Sequence, residues 1–171
     1  FLAEIASTVN EVLLVKFMLK SAKGQKRKYL LSYYLDMFRT TLFRQTMFAE
    51  FEKFSHASVE EGQPLSSDKM SRFYYELNKK YYGDEVIHDD YIKYEWSRIP
   101  HFYNAFYVYK YATGLTAAIN IVKKILNKEE GAVERYLEFL KSGGSDFPLE
   151  ILKKTGINLK GKRPYLVAMK E

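Results

Sequence analysis

The sequence predicts an all-α fold, and three observations carry that expectation. Apolar side chains recur at helical spacing through most of the 171 residues, and no stretch shows the strict apolar–polar alternation of a half-buried strand. Helix punctuation stands where those periods need it: Ser66 or Ser67 opens one and Gly83 closes it, while Pro100, Pro148 and Pro164 open others. Turn-forming residues, Glu61-Gly62-Gln63-Pro64 and Ser142-Gly143-Gly144-Ser145, lie between periods rather than inside them. With 47% hydrophobic and 28% charged residues the chain is globular. Its length suits one helical domain over residues 1–171 with a sizeable core.

Leu2 to Leu19 reads as the first helix. Ile5, Val9, Val12, Leu13 and Phe17 form an apolar stripe without Gly or Pro. Beside it runs a polar file of Glu4, Ser7, Thr8 and Glu11, which share a face by their i, i+3, i+4, i+7 spacing. Two carboxylates there fit a solvated edge, the default for Glu, or a buried and partnered pair. No N-capping side chain precedes Leu2, so the chain is expected to begin inside a helix and to be a piece of something longer.

Tyr29 to Phe54 reads as a second long helix, aromatic throughout. A third runs from Ser66 or Ser67 to about Tyr82, and Asp84 to Glu95 forms a polar connector. A fourth is entered at Pro100 and runs to about Leu126, with a bend expected at Gly114. Shorter helices follow over Glu129 to Leu140 and Leu149 to Thr155. Pro164 opens a last one, which is expected to be cut off at Glu171.

The net charge is +6, and such a balance permits contact with nucleic acid or an acidic membrane. The excess gathers at Lys20 to Lys28 and at Lys160 to Arg163, both expected in loops, where charge runs are ordinarily solvated. A nucleic-acid partner is therefore not expected. Ile99 to Val122 has the length of a membrane span and a single formal charge, Lys110. His101, two Asn and several Tyr within it argue instead for a buried helix, so no membrane partner is expected. There is no cysteine, hence no disulfide and no thiolate metal site. No secretory signal is present, and a cytoplasmic location is expected.

The stretch Trp96 to Leu115 concentrates the chemistry. Tyr103, Tyr107, Tyr109 and Tyr111 accompany His101, and a buried phenol is costly unless its hydroxyl finds a partner. Two readings stand: a tyrosine-rich core helix, or a wall of phenolic donors facing a cleft. No phosphate-binding Gly loop is present. The three histidines, His56, His88 and His101, are not spaced as a two-His zinc pair. His56 and His88 read as ordinary surface residues.

Several blocks resemble a known family. Leu2-Ala3-Glu4-Ile5-Ala6-Ser7-Thr8-Val9-Asn10-Glu11 is similar to a zinc-ligand helix of the oligoendopeptidase F group, in the thimet oligopeptidase family of zinc metallopeptidases. The likeness continues through Phe38 to Phe54, Tyr81 to Val86, Ile99 to Gly114 and Ser142 to Pro148, in the family's order.

The resemblance implies a zinc-dependent oligopeptidase acting on short peptides. In that family an H-E-x-x-H helix supplies two histidine ligands and a glutamate base, and a Glu from a later helix completes the set; Glu4 matches that position. Such a zinc takes three protein ligands and leaves the fourth place to water. Glu11, two turns on, would orient a ligand histidine. His101 matches the family's substrate-binding histidine. Tyr103 and Tyr109 are the leading candidates for oxyanion donors, with Tyr107 and Tyr111 as packing or substrate contacts. The chief departure is that no H-E-x-x-H occurs in these residues. It is therefore expected upstream, in a missing part of the same catalytic domain of which this chain is the C-terminal portion. By itself the chain is expected to lack activity and a zinc site. The alternative is a non-catalytic helical module that binds a peptide or partner.

Overall fold

The computed structural model describes residues 1–171, and every regular element in it is helical. The order is α1 (Leu2–Ser21), α2 (Gly24–Met37), a π-helical segment (Phe38–Phe43), α3 (Arg44–Glu60) and α4 (Ser67–Tyr82). Two 3₁₀ segments follow (Asp90–Arg98 and Pro100–Tyr103), then α5 (Tyr109–Leu126), α6 (Ala132–Ser142), α7 (Pro148–Lys153) and α8 (Arg163–Ala168). The chain divides into two compact units, residues 1–42 with 110–171, and residues 43–109.

The first unit is built on α5. From Gly114 to Val122 every residue of this helix is buried, so it is apolar on all sides, as a central helix must be. Ile5, Val9, Val12 and Val15 of α1, Tyr34 and Met37 of α2, and Tyr136 and Phe139 of α6 belong to the same core. The α1 stripe is thus Ile5, Val9, Val12 and Val15, and Phe17, expected inside, is 70% exposed. Polar groups carried into this core are bonded. The Asn120 amide donates to the carbonyls of Thr116, at 2.8 Å, and of Pro164, at 2.9 Å, tying α8 to α5. The Tyr136 hydroxyl donates to the Ala6 carbonyl at 3.2 Å.

The second unit has an aromatic core. Phe51 of α3 lies edge-on to Tyr74 of α4, with ring centroids 5.3 Å apart, and meets Phe102 at the same separation and Trp96 at 6.0 Å. Inside it sits Glu95, whose carboxylate accepts from the Tyr74 hydroxyl at 2.6 Å and from Arg44 and Arg98, each at 2.7 Å. Burial opposes ionisation of Glu95, but the Arg44 and Tyr74 hydrogen bonds outweigh it and hold the carboxyl below its usual range. The same burial, with Glu95 beside it, pushes the Tyr74 phenol far up.

Several expectations need correction. The second helix begins earlier, at Gly24, and helical structure runs on to Glu60 through the π segment. There the Thr40 hydroxyl donates back to the Asp36 carbonyl at 2.7 Å, a local competitor of the backbone ladder. The expected connector is irregular only to Asp89, whose side chain caps a 3₁₀ segment by accepting from Tyr91 N–H at 2.7 Å. Pro100 opens one short 3₁₀ turn, and the long helix starts only at Tyr109, then passes Gly114 without a break. Glu129 lies outside α6, in a turn where it pairs with Lys124 and Arg135. The last helix is not cut off: α8 closes at Ala168, and Glu171 pairs with Lys16. Lys20 and Lys26 to Lys28 stand on α1 and α2 rather than in a loop. Ser66 and Gly83 behave as expected. The Ser66 hydroxyl accepts from Lys69 N–H at 3.1 Å, and Gly83 closes α4 at φ 75°.

Candidate active site

The candidate residues fall on both units, and each half is described in its own. In the first, Glu4 stands in the opening turn of α1, half-buried. The reason is local: α5 crosses α1 at this point, and a Cβ added to Gly114 would lie 3.5 Å from Glu4 Cβ. Glu4 is therefore packed at its stem, while Ser7 and Glu11 of the same polar file are exposed. Glu11 is exposed, and the Tyr33 hydroxyl of α2 donates to its carboxylate in a short bond. That bond, with some desolvation, raises the Tyr33 phenol. The sequence offered no sign of this pairing. Tyr111 is half-buried on α5.

In the second unit, His101 and Tyr103 sit on the 3₁₀ turn opened by Pro100, Tyr107 follows in an irregular stretch, and Tyr109 begins α5. His101 is exposed and its ring stacks on that of Tyr107, with centroids 5.8 Å apart and planes 25° off parallel. Tyr103 is 89% exposed and Tyr109 47%. Tyr103 and Tyr109 are thus not buried in a core helix, while Tyr107 and Tyr111 are half-buried. No regular helix joins Tyr103 to Tyr107. The tyrosines that do fill the cores are Tyr34, Tyr74 and Tyr136.

The break between Tyr103 and Tyr109 has an identifiable cause. Phe106 adopts φ +55°, a left-handed conformation that costs a non-glycine residue about 1–2 kcal/mol. Its N–H donates at 2.6 Å to the carboxylate of Glu52 on α3, and its ring lies 4.6 Å from that of His56, one turn further along α3. Glu52 is 3% exposed. Beside it opens a cavity of about 560 Å³ lined by Glu52, His56, Phe51, Trp96, Phe102 and Tyr103, among others. Neither Glu52 nor His56, which is expected at the surface, stands out in the sequence as a site residue, although their i, i+4 spacing places both on one helix face. His56 is half-buried here rather than a plain surface residue. His88 too is half-buried, its Nε2 2.9 Å from the Gly83 carbonyl.

No group of three His, Cys, Asp or Glu side chains that could hold a metal comes together in this chain. Glu4 would supply one of the three protein ligands that a catalytic zinc takes. No helix is long and apolar enough to cross a membrane.

The chain is all-helical and exposes His101, Tyr103 and Tyr109. The chain belongs to Peptidase family M3, whose profile matches residues 1–171. It is 47% identical to oligopeptidase PepF of Bacillus subtilis over 171 residues, which is 99% of this chain and 26% of that protein. It is 48% identical to group B oligopeptidase PepB of Streptococcus agalactiae over 160 residues, 93% of the chain and 27% of that protein. Among solved structures it is similar to oligoendopeptidase-F from Enterococcus faecium. There the TM-score is 0.94 and the identity 51%, covering 99% of this chain and 33% of that one. The chain thus spans between a quarter and a third of the length of these relatives.

Proposed function

We propose that this chain is the part of a zinc-dependent oligopeptidase that presents one metal-ligating carboxylate and the peptide-contacting wall, and that the whole protein hydrolyses short peptides. Membership of Peptidase family M3 supports the reaction class, and the relatives named oligopeptidase support short peptides as substrates. The observation that carries the residue assignment is the exposure of Tyr103 and Tyr109 with His101 on an irregular turn. Side chains exposed at the surface can meet a ligand, which core phenols such as Tyr34 and Tyr74 cannot.

In this reading Glu4 offers its carboxylate to a zinc whose remaining ligands lie outside the chain, and Glu11, fixed by Tyr33, orients one of them. The zinc would polarise the scissile carbonyl and supply activated water. This chain's own contribution is positioning and charge stabilisation. Tyr103 and Tyr109 donate hydrogen bonds to the carbonyl oxygen as it gains charge, and a donor aimed at that developing charge favours the transition state over bound substrate. His101, its ring plane set by Tyr107, binds the peptide, and Tyr107 and Tyr111 line its path.

The test is kinetic, on the full-length protein with a quenched short peptide. Tyr103→Phe or Tyr109→Phe should lower kcat by roughly 10²–10³ with little change in KM. Tyr34→Phe, a core change, should leave kinetics near wild type. Equal, small effects at all three positions would remove the oxyanion assignment.

A further inference from the structure

We infer that Glu52 is the positioning residue of the aromatic turn: by accepting the Phe106 N–H it holds the stretch between Tyr103 and Tyr109 in the conformation that presents His101 and the phenols. The inference rests on the reading of those side chains as the peptide-contacting wall.

Three observations meet at this carboxylate. The first is burial without a cation: Glu52 is 3% exposed, and no Lys or Arg partner is found for it among the ion pairs. A carboxylate is kept in such a place only when hydrogen bonds replace its water. The second is the bond itself, 2.6 Å from a backbone N–H lying 54 residues away in sequence. A side-chain acceptor on one helix thus holds a backbone donor of a distant turn within hydrogen-bond reach. The third is the conformation it stabilises. Phe106 is one of only two non-glycine residues with positive φ, the other being Lys128 in a surface turn. A left-handed Phe persists only where its surroundings over-determine it. Glu52 at its N–H and the His56 ring against its own ring, both from one face of α3, supply that.

The frame behind Glu52 is rigid. Met47, Phe48 and Phe51 of the same helix are buried in the aromatic core, so the carboxylate is a fixed point. The turn it holds has no ladder of its own. Between the 3₁₀ turn ending at Tyr103 and the start of α5 at Tyr109 there is no regular helix. Without the bond, Phe106 is free to relax to negative φ, and the relative placement of Tyr103 and Tyr109 changes with it. An offset of ~1 Å in a positioned group can cost ~10²-fold in rate.

The test uses the full-length protein. Glu52→Leu removes the acceptor, and Glu52→Gln keeps an acceptor oxygen at the same reach. Glu52→Leu should lower kcat ~10- to 100-fold with KM within about threefold, and Glu52→Gln should recover most of that loss. A role in stability alone would lower the melting temperature of both variants without this split. A second measurement needs no variant: in wild type the Phe106 amide should exchange with solvent at least ~100-fold more slowly than its intrinsic rate. Exchange at the intrinsic rate, a silent Glu52→Leu, or a Glu52→Gln as impaired as Glu52→Leu would each overturn the inference. A silent Glu52→Leu beside a damaging Tyr103→Phe would overturn the positioning alone. Neutral Tyr103→Phe and Tyr109→Phe would instead remove the wall it was inferred to position.

Discussion

Gly114 of α5 faces Glu4 of α1 so closely that a methyl group added at Gly114 would touch Glu4 Cβ at 3.5 Å. That distance is ordinary van der Waals contact, so an alanine fits, and larger side chains would carry further atoms towards Glu4 and Ile5. The crossing also explains why the candidate metal ligand is half-buried: its stem is packed against α5.

Substitution at this crossing should separate packing from chemistry. In the full-length protein Gly114→Ala should keep zinc and activity. Gly114→Val, which forces extra atoms against Glu4 and Ile5, should cost about 1–3 kcal/mol by overpacking. Thermal melting and metal analysis together check this. Equal behaviour of the two variants would mean that the helices are less closely opposed than described.

Glu4→Gln preserves size and the helix but weakens the carboxylate donor. It should leave the melting profile of the full-length protein in zinc-free buffer unchanged, while reducing bound zinc and most of the turnover. Wild-type zinc content and rate in this variant would show that Glu4 is not a ligand.

The 171-residue chain by itself, having no cluster of three candidate ligands, should retain no stoichiometric zinc after dialysis and should not cleave peptide. Metal analysis and a quenched-peptide assay read both. Activity is expected only on combination with a segment that carries H-E-x-x-H. Stoichiometric zinc in the isolated chain would place the ligands elsewhere.

Glu95 sets an acid limit on the second unit. Its folded-state pKa lies below the ordinary value, so its contribution to stability is complete above the unfolded-state pKa. It is lost as pH falls from there through the depressed folded value. Unfolding in denaturant between about pH 5 and pH 3 should therefore show a decline in stability that Glu95→Gln flattens. At neutral pH, removal of the buried partner in Tyr74→Phe should be mild, because Arg44 remains. Arg44→Ala should cost more, about 1.5–3 kcal/mol, leaving a buried carboxylate with Tyr74 and a largely exposed Arg98. A pH-independent difference between wild type and Glu95→Gln would disprove the linkage.

What the sequence determined by itself is what neighbours along the chain decide. The helical periods of α1, α4 and α5 are written in apolar spacing. Ser66 and Gly83 mark the ends of α4 through bonds to residues three or four positions away. The family blocks survive because they are contiguous strings, and Glu4 and the His101 to Tyr111 group stand inside them. Only the tertiary structure decided which parts of those strings remain helical and which side chains are exposed. The stretch from Pro100 to Val108 has the composition of a helix, yet Glu52 on another helix captures Phe106 N–H and the helix waits until Tyr109. Tyr74 and Glu95 pair 21 residues apart, and Phe17 keeps the apolar period of α1 but points away from its core. In each case the deciding bond or contact joins positions remote in sequence. Its strength, comparable to or greater than the small per-residue preferences for helix, overrides what local spacing would otherwise choose.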